Sequence, residues 1–384
     1  MFKVVVGHSN DPDSESAISD VINQCREDLQ DQQPQAAILF AAPDFEHALI
    51  LQKVQQAFPD MPLIGGTSDG ELSSKEGFQQ DSLVLTLFCS DEVAFATGVG
   101  HNLSKDPIQV THQAITSAKS QLNGLPGLCI SIPESLTTSG VAVLEGLKKS
   151  LGQSVPIVGG TSGDQWQFQG TFQFFGAEVL SDAIPVLLLS DQVVIGHGVS
   201  SGWQPTGSRK LVTKVEDNVL YQVGNQSALE FCNSHMASFR PTPEYRLAVY
   251  ESGDDQWYMR TSNGFCDPST GSLGFFADIP PNAEVQIIQS NRDEMIDAVR
   301  TSIEMAQTTY PGQSPETALF FSCAGRLQTL GTRVKEECEV ISSILPSHIS
   351  YGGFYTYGEI TPMKQHGESR FHNETFVTLL LGTR

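Results

Sequence analysis

Hydrophobic and polar positions follow the same order three times along the chain. Each copy begins with a continuous apolar run, at residues 36–40, 127–132 and 318–323. A segment in which apolar residues recur with helical spacing follows each run, at residues 44–58, 137–151 and 330–345. Short buried runs that alternate with amphipathic helices are typical of β-α-β units. The pattern therefore predicts an α/β fold in which one unit is repeated.

A pair of glycines follows each predicted unit. The stretches that contain the pairs are residues 61–71, 155–164 and 349–362. Each stretch passes from apolar residues through Gly-Gly and a hydroxyl or aromatic residue to an acid. Glycine lets the backbone turn with positive φ and lets another group approach the main chain closely. We therefore expect equivalent glycine turns at the ends of strands.

Two further strand pairs are predicted after the first two glycine pairs. Residues 81–88 and 92–100 form one pair, and residues 183–189 and 192–199 form the other. The Ser-Asp dipeptides between them suit hairpin turns. The expected fold class is α/β, built as two modules of repeated β-α-β units with glycine-rich turns and added antiparallel hairpins.

The repeated pattern lapses once, at residues 202–208, where we place the boundary between the modules. The predicted modules are residues 1–204 and 210–384. A chain of 384 residues is long enough for two or three domains with their own cores.

Charge and composition exclude several classes of function. The formal net charge is −22, and a field of that sign repels the phosphates of a nucleic acid. No apolar run approaches the ~20 residues of a membrane span, so we expect a cytoplasmic protein without a membrane contact. The seven cysteines form no C-x-x-C pair, which favours reduced, buried thiols.

The glycine motifs and the C-terminal sequence resemble the FIST family of bacterial sensory proteins. The resemblance rests on residues 64–71, 321–326, 353–360 and 372–375. It implies a FIST N-type module followed by a FIST C-type ligand-binding module. Proteins of this family are regarded as small-ligand sensors that regulate a histidine kinase or a cyclic-di-GMP enzyme. One branch binds haem and senses nitric oxide, and residues 6–13 are similar to that branch. Assembly as a homodimer is left open.

The C-terminal glycine-aromatic motif is the first candidate ligand site. It contains Gly353, Phe354, Tyr355, Tyr357 and Glu359. Aromatic rings supply apolar contact surface, and a carboxylate can hold an amine or another donor. The alternative is structural: Phe354 and Tyr357 would belong to the core, and Glu359 would cap backbone amides.

Arg326 and His372 extend this candidate site. Arg326 follows a predicted strand, where an arginine can bind a carboxylate such as a haem propionate. Alternatively, it forms a salt bridge to Glu359 or Glu71. His372 belongs to the family motif and is the candidate axial ligand of haem iron, or else a structural residue. We expect Arg326, Tyr357 and Glu359 to converge on one cavity.

Cys323 carries the alternative of an enzyme. A thiolate nucleophile needs an adjacent base and a depressed pKa, and the sequence places no certain base beside Cys323. This favours a sensor without enzymatic activity, and the resemblance to the FIST family implies that its ligand is haem and that it responds to nitric oxide. The alternatives are a sensor of an amino acid or another small organic ligand, and an enzyme that uses Cys323, Arg326 and Glu359.

Overall fold

The computed structural model describes residues 2–234, 245–251, 253 and 255–383. The chain divides into two compact units. The first unit comprises Met1–Ser201, Ile296–Phe371 and Thr375–Arg384, and the second comprises Gly202–Met295 and His372–Glu374. The predicted modules, 1–204 and 210–384, are consecutive segments of chain. The compact units differ from them because most of the C-terminal segment packs with the N-terminal half.

The first unit is built from three copies of one β-α-β-α-β arrangement, each followed by a hairpin and a last strand. Repeat 1 contains β1 (Phe2–Ser9), α1 (Ser14–Leu29), β2 (Ala36–Ala41), α2 (His47–Ala57), β3 (Leu63–Thr67), β4 (Glu71–Ser73), β5 (Gly77–Gln79) and β6 (Leu83–Ser90). Repeat 2 contains β7 (Phe95–His101), α3 (Pro107–Gln121), β8 (Pro126–Ser131), α4 (Gly140–Leu151), β9 (Ile157–Gly160), β10 (Gln173–Phe175), β11 (Glu178–Leu180) and β12 (Ala183–Ser190).

Repeat 3 begins with β13 (Val194–Ser200) and is interrupted by the second unit. The elements of the second unit are β14 (Gln204–Glu216), β15 (Val219–Val223), β16 (Gln226–Ser227), α5 (Ala228–Asn233), β17 (Arg246–Tyr250), β18 (Trp257–Asp267), β19 (Ser272–Phe275) and β20 (Glu284–Gln289). Repeat 3 resumes with α6 (Arg292–Thr309), β21 (Thr317–Cys323), α7 (Ala324–Leu330), a 3₁₀ turn (Gly331–Val334), α8 (Lys335–Ile344), β22 (Ser350–Thr356), β23 (Glu359–Pro362), β24 (Ser369–His372) and β25 (Phe376–Gly382).

The three repeats exchange their hairpins in a ring. The sheet of repeat 1 has the order β1-β6-β2-β3-β10-β11, so the hairpin of repeat 2 completes it. The sheet of repeat 2, β7-β12-β8-β9-β23-β24, takes the hairpin of repeat 3. The sheet of repeat 3, β13-β25-β21-β22-β4-β5, takes the hairpin of repeat 1. Because every sheet depends on the next repeat, no repeat is complete alone.

The α/β class and the repeated units predicted from the sequence are confirmed, but the predicted strand pairs are wrong. The strands at residues 81–88 and 92–100 lie in different sheets: β6 pairs with β1 and β2, whereas β7 pairs with β12. The pair at 183–189 and 192–199 is divided in the same way, since β13 pairs with β25. A Ser-Asp dipeptide permits a tight turn, but here it carries the chain from one repeat to the next.

The expectation that the glycine pairs form turns at the ends of strands is wrong, because the pairs lie inside β3, β9 and β22. Their role is close contact between strands. A Cβ atom on Gly65 would lie 2.0 Å from the carbonyl oxygen of Leu39. The equivalent Gly159 and Gly353 meet carbonyl oxygens of their neighbouring strands at 2.1 and 2.2 Å. No real Cβ fits at such distances, so each repeat needs glycine where its third strand pairs with the parallel strand beside it.

The inner faces of the three sheets share one hydrophobic core. Its buried residues come from all three repeats, and include Phe40, Ile130, Phe321 and Phe354. The Phe354 ring stacks on that of Phe40, with the centroids 3.9 Å apart. Burial of this apolar surface is the main stabilising contribution to the first unit.

The second unit is organised around a seven-stranded sheet of the order β14-β20-β17-β18-β19-β15-β16. The short helix α5 begins with a capping box, in which Ser227 and Glu230 each accept from the other's backbone amide. Among the described residues, no helix of either unit is long and apolar enough to cross a membrane.

We expect Gly353→Ala to destabilise the first unit by about 1–3 kcal/mol or more, because the new methyl group would force β22 away from Phe320. Gly170→Ala is the matched control, since a Cβ there meets nothing within 4 Å. Urea unfolding followed by circular dichroism measures both variants. Equal midpoints for the two would show that the close contact has no energetic role.

Candidate functional site

The third strands of the three repeats end in a ring of backbone hydrogen bonds. The Asp69 amide donates to the Tyr355 carbonyl at 3.0 Å, and the Gly163 amide donates to the Thr67 carbonyl at 2.8 Å. The Tyr357 amide donates to the Thr161 carbonyl at 3.4 Å, which closes the ring. The three donors each lie four residues after the glycine of a close contact. The repeated motifs therefore meet at one place, with a different side chain from each repeat.

Asp69 is the buried acid of this junction. It occupies the space left by the missing side chain of Gly163, where a Cβ would lie 2.3 Å from Asp69 Oδ1. Oδ1 accepts a hydrogen bond from the Gln165 amide at 2.9 Å. Oδ2 is buried and has no hydrogen-bond partner in the part of the chain that the structure describes. Burial, together with the nearby Asp164 carboxyl, raises the pKa of Asp69 to about 7.

Asp164 links Tyr357 to the loop that follows β9. It accepts from the Tyr357 hydroxyl at 2.5 Å, and that hydroxyl accepts from the Trp166 amide at 2.6 Å. The same carboxylate accepts from three successive backbone amides, those of Phe168, Gln169 and Gly170. One side chain therefore fixes both the tyrosine of repeat 3 and the loop of repeat 2.

This loop, residues 164–172, carries backbone strain and aromatic side chains, and we call it the aromatic loop. Gln165, Trp166 and Phe168 have left-handed φ angles of 54°, 60° and 50°. Such angles are costly for bulky residues and are found where surrounding contacts enforce them. The rings of Trp166, Phe168 and Tyr357 lie 5.5–5.7 Å apart, and Phe168 is half exposed. The junction therefore combines a buried carboxylate with aromatic surface that reaches solvent.

A second buried acid, Glu71, lies in repeat 1 at the start of the exchanged hairpin. It accepts hydrogen bonds from the hydroxyls of Ser68 and Ser82, the latter at 2.5 Å. Ser82 also contacts His8 Nε2 at 2.9 Å, and His8 Nδ1 lies 2.7 Å from the Ser73 hydroxyl. Burial raises the pKa of Glu71 to about 8 and lowers the pKa of His8 to about 4. This network is therefore neutral at pH 7.

Glu359 has the position of Glu71 in repeat 3. Its Oε2 accepts from the Thr375 amide at 3.0 Å and from the Thr375 hydroxyl at 2.7 Å. Thr375 precedes the last strand of repeat 3, as Ser82 precedes the last strand of repeat 1. The structure thus places Glu359 in the capping arrangement that the sequence left as the alternative.

Arg326 is fully buried in an ion pair. Its Nη2 and Nε donate to Glu337 Oε1 at 2.6 and 3.0 Å, and its Nη1 donates to the Ser201 carbonyl at 3.0 Å. The Tyr355 hydroxyl donates to Glu337 Oε2 at 2.5 Å. Arg326 and Tyr355 are therefore brought together, but by a residue that the sequence analysis missed. Glu337 lies on the apolar face of α8 with Cys338 and Ile341, and an acid on such a face was the available signal.

The remaining predicted residues lie in packed surroundings. Gly353 is enclosed between strands, and Phe354 is in the core. His372 is buried and belongs to the second unit with Asn373 and Glu374. Glu374 forms an ion pair with Arg246 at 3.0 Å, and the Arg246 guanidinium lies 4.7 Å from the Trp203 ring centroid.

The residues predicted for haem do not fit haem as the structure arranges them. Tyr355 and Glu359 are already hydrogen-bonded to other side chains, and the Phe354 ring is stacked on Phe40. The Arg326 guanidinium, proposed for a propionate, already binds Glu337.

The structure distributes the three residues expected in one cavity over three hydrogen-bonded clusters. Arg326 binds Glu337, Tyr357 binds Asp164, and Glu359 binds Thr375. The side chains that meet at the strand ends are instead Tyr357, Asp69 and Asp164.

The family comparison agrees with the sequence motifs. The FIST N domain matches residues 35–226, and the FIST C domain matches residues 223–362. The chain belongs to the FIST family. FIST domains are small-ligand sensor domains, so the broad expectation of a ligand-binding sensor is confirmed for this FIST protein.

Relatives of the FIST protein span its whole length. An uncharacterized protein of Mycobacterium tuberculosis is 22% identical over 381 residues, covering 95% of this chain and 96% of the relative. An uncharacterized protein of Mycobacterium bovis is 21% identical, covering 97% of each chain. Among solved structures, a cyanuric acid hydrolase from A. caulinodans has a TM-score of 0.39 at 12% identity, covering 100% of this chain and 99% of that one. A chorismatase has a TM-score of 0.38 at 8% identity, covering 99% and 98%.

We expect Arg326→Ala to lower the free energy of unfolding by about 3–5 kcal/mol, because it leaves Glu337 buried without its cation. Arg333→Ala is the matched control. Its ion pair with Glu336, in and after the 3₁₀ turn that follows α7, is about one-third exposed and should contribute less than about 1 kcal/mol. Chemical unfolding of the ligand-free variants shows whether Arg326 stabilises the fold or is free to contact a ligand. An Arg326 variant as stable as the control would instead return Arg326 to the list of ligand contacts.

The raised pKa of Glu71 predicts a pH-dependent stability. In the native state the Glu71 carboxyl keeps its proton up to about pH 8, whereas in the unfolded chain it loses that proton above its ordinary pKa of 4.5. This stabilisation is complete below that pH, and it is lost as the pH rises through about 8. We expect wild type to lose several kcal/mol, at roughly 1.4 kcal/mol per pKa unit, relative to Glu71→Gln across this window. Urea midpoints between pH 4.5 and 9 measure the difference, and parallel pH profiles for the two proteins would contradict the assignment.

Proposed function

We propose that this FIST protein is a cytoplasmic sensor without enzymatic activity that binds a small organic ligand where its three repeats meet. A partner histidine kinase or cyclic-di-GMP enzyme would read the bound state. The observation that carries the proposal is the buried Asp69 Oδ2, which lacks a partner among the described residues. The other oxygen of the same carboxyl accepts from the Gln165 amide, so Asp69 lies against the aromatic loop. A buried polar atom without a partner is costly, and a ligand that supplies a donor removes that cost.

The aromatic loop offers a way to report occupancy. Its strained backbone is held by Asp164, which also holds Tyr357. A ligand that binds Asp69 makes contact beside this loop and can favour one of two loop arrangements. The equilibrium shifts only by the difference in ligand affinity between the arrangements. A partner that contacts the loop would then respond to the ligand.

The surroundings of the cysteines favour a sensor over a cysteine-dependent enzyme. Burial raises the pKa of Cys25, Cys232 and Cys338 to about 12, so these thiols stay protonated at pH 7. Cys323 is buried at the start of α7, and the Arg326 and Glu359 side chains proposed to assist it are committed to structural hydrogen bonds. A nucleophilic thiol needs the opposite surroundings: exposure and a depressed pKa.

Haem binding with nitric oxide sensing has less support than an organic ligand. The Arg326 and Glu359 side chains expected to hold haem are engaged by protein partners, whereas Asp69 Oδ2 has no partner among the described residues. Titration with hemin, followed by absorbance in the Soret region, measures this alternative directly. The proposal predicts no stoichiometric Soret band.

The central test is a ligand screen on wild type and Asp69→Asn. Thermal shift identifies compounds, and isothermal titration calorimetry measures affinity. We expect the substitution to weaken an organic ligand by roughly tenfold or more, the effect of losing a charge-assisted hydrogen bond. Asp31→Asn, an exposed acid between α1 and β2, is the matched control and should bind as wild type does.

Two results would overturn the proposal. One is a ligand whose affinity is the same in wild type and Asp69→Asn, because it would bind elsewhere. The other is consumption of the bound compound, followed by nuclear magnetic resonance of the ligand over hours, because turnover identifies an enzyme.

A further inference from the structure

The geometry points to a ligand that carries a positively charged amine, primary or quaternary, which binds the free oxygen of Asp69 against the aromatic side chains. This inference rests on the proposed function, since it identifies the class of ligand that the same site takes.

The first argument is the hydrogen-bond inventory of the two acids at the junction. Asp164 accepts from three backbone amides and from the Tyr357 hydroxyl. Asp69 accepts from one amide only, and its Oδ2 has no partner in the described ranges. The unmet requirement of the site is thus a donor for a carboxylate. A primary ammonium group supplies the strongest such donor, and a quaternary ammonium supplies the charge alone.

The second argument is charge. Burial is the main cause of the raised pKa of Asp69, and the nearby Asp164 carboxyl raises that pKa further. An anionic ligand would meet repulsion from both, whereas a cation would relieve the repulsion between them. The formal net charge of −22 also draws cations toward the protein as a whole.

The third argument is the aromatic surface. Burial raises the pKa of the Tyr357 hydroxyl, and the nearby Asp69 carboxyl raises it further, so Tyr357 and Asp69 lie close together. The rings of Trp166 and Phe168 lie 5.7 and 5.5 Å from that of Tyr357. Aromatic faces attract organic cations, and tryptophan does so most strongly. A neutral ligand of the same shape gains the apolar contact without this attraction.

A metal cation fits the site less well than an ammonium group. The described residues contain no group of three or more histidine, cysteine, aspartate or glutamate side chains that could hold a metal ion. Calcium takes six to eight oxygen ligands, whereas a quaternary ammonium group is held by one carboxylate and aromatic faces, and a primary ammonium group adds a hydrogen bond to that carboxylate.

Proton release gives the inference a pH signature. Asp69, with a pKa of about 7, must be ionised to bind a cation strongly. The groups that face it are Asp164 of the aromatic loop and Tyr357 of the turn after β22. Amine affinity should therefore rise between pH 6 and 8, by up to about tenfold per unit below the pKa. The Asp69→Asn variant should lose this dependence.

The test compares choline and ethanolamine with 3,3-dimethylbutan-1-ol, the neutral isostere of choline, by calorimetry. Calcium chloride is the metal control, and the neutral and acidic compounds of the ligand screen are measured in parallel. We expect at least one amine to bind wild type, and to bind roughly tenfold or more tightly than the neutral isostere. Asp31→Asn should match wild type, and Asp69→Asn should lose the preference for the amine.

A second measurement needs no variant and therefore survives a failure of Asp69→Asn to fold. Calorimetry of wild type in buffers with different ionisation enthalpies counts the protons released on binding. We expect proton release on amine binding at pH 6, where Asp69 with a pKa of about 7 is mostly protonated, and less release at pH 8. Zero release, or proton uptake, would overturn the inference.

The outcomes also separate this inference from the proposed function. If only neutral or acidic compounds, or calcium alone, bind in a manner that depends on Asp69, the ammonium class is wrong and the site remains. If no compound depends on Asp69, both the ligand class and the proposed site fall.

Discussion

The first unit depends on the ring of three backbone hydrogen bonds that joins the ends of β3, β9 and β22. Each bond joins two different repeats, and its donor lies four residues after a glycine inside the third strand. A Cβ atom on that glycine would lie within about 2.2 Å of a carbonyl oxygen of the neighbouring strand, so only glycine allows the strands to come this close. The exchanged hairpins also make the repeats depend on one another, because each sheet is completed by the hairpin of another repeat. We therefore expect the loss of one contact between repeats to disturb all three sheets.

Equivalent backbone positions with different side chains create the candidate site. The ring places Asp69, Gly163 and Tyr357 at the same position of three repeats. Gly163 leaves space, Asp69 fills it with a carboxyl, and Tyr357 brings a ring and a hydroxyl. Asp164 accepts a hydrogen bond from the Tyr357 hydroxyl and so connects this tyrosine to the strained aromatic loop. A nearly symmetric scaffold thus holds one asymmetric group of polar and aromatic atoms.

Much of the scaffold could be predicted from the sequence, since apolar runs and glycine pairs report strand and helix positions locally. The strand partners could not, because a Ser-Asp link looks the same whether it closes a hairpin or crosses to the next sheet. The site was found only in part. Tyr357 was recognised, but Asp69 and Asp164 became neighbours only through the ring. The role of Arg326 was predicted wrongly because its partner, Glu337, lies on a separate helix. From the sequence alone, an arginine after a strand looks the same whether it binds a ligand or a buried glutamate.

The protonation state of the Asp69 carboxyl decides whether this side chain is a binding site for an amine. A pH titration of its side-chain ¹³C resonance, assigned by comparison with Asp69→Asn, measures that state in the ligand-free protein. The account predicts a midpoint at about pH 7 that moves to lower pH when an amine binds. A midpoint near the ordinary value of 3.8 would show a well-satisfied or hydrated carboxylate, and would contradict the claim that this acid awaits a ligand.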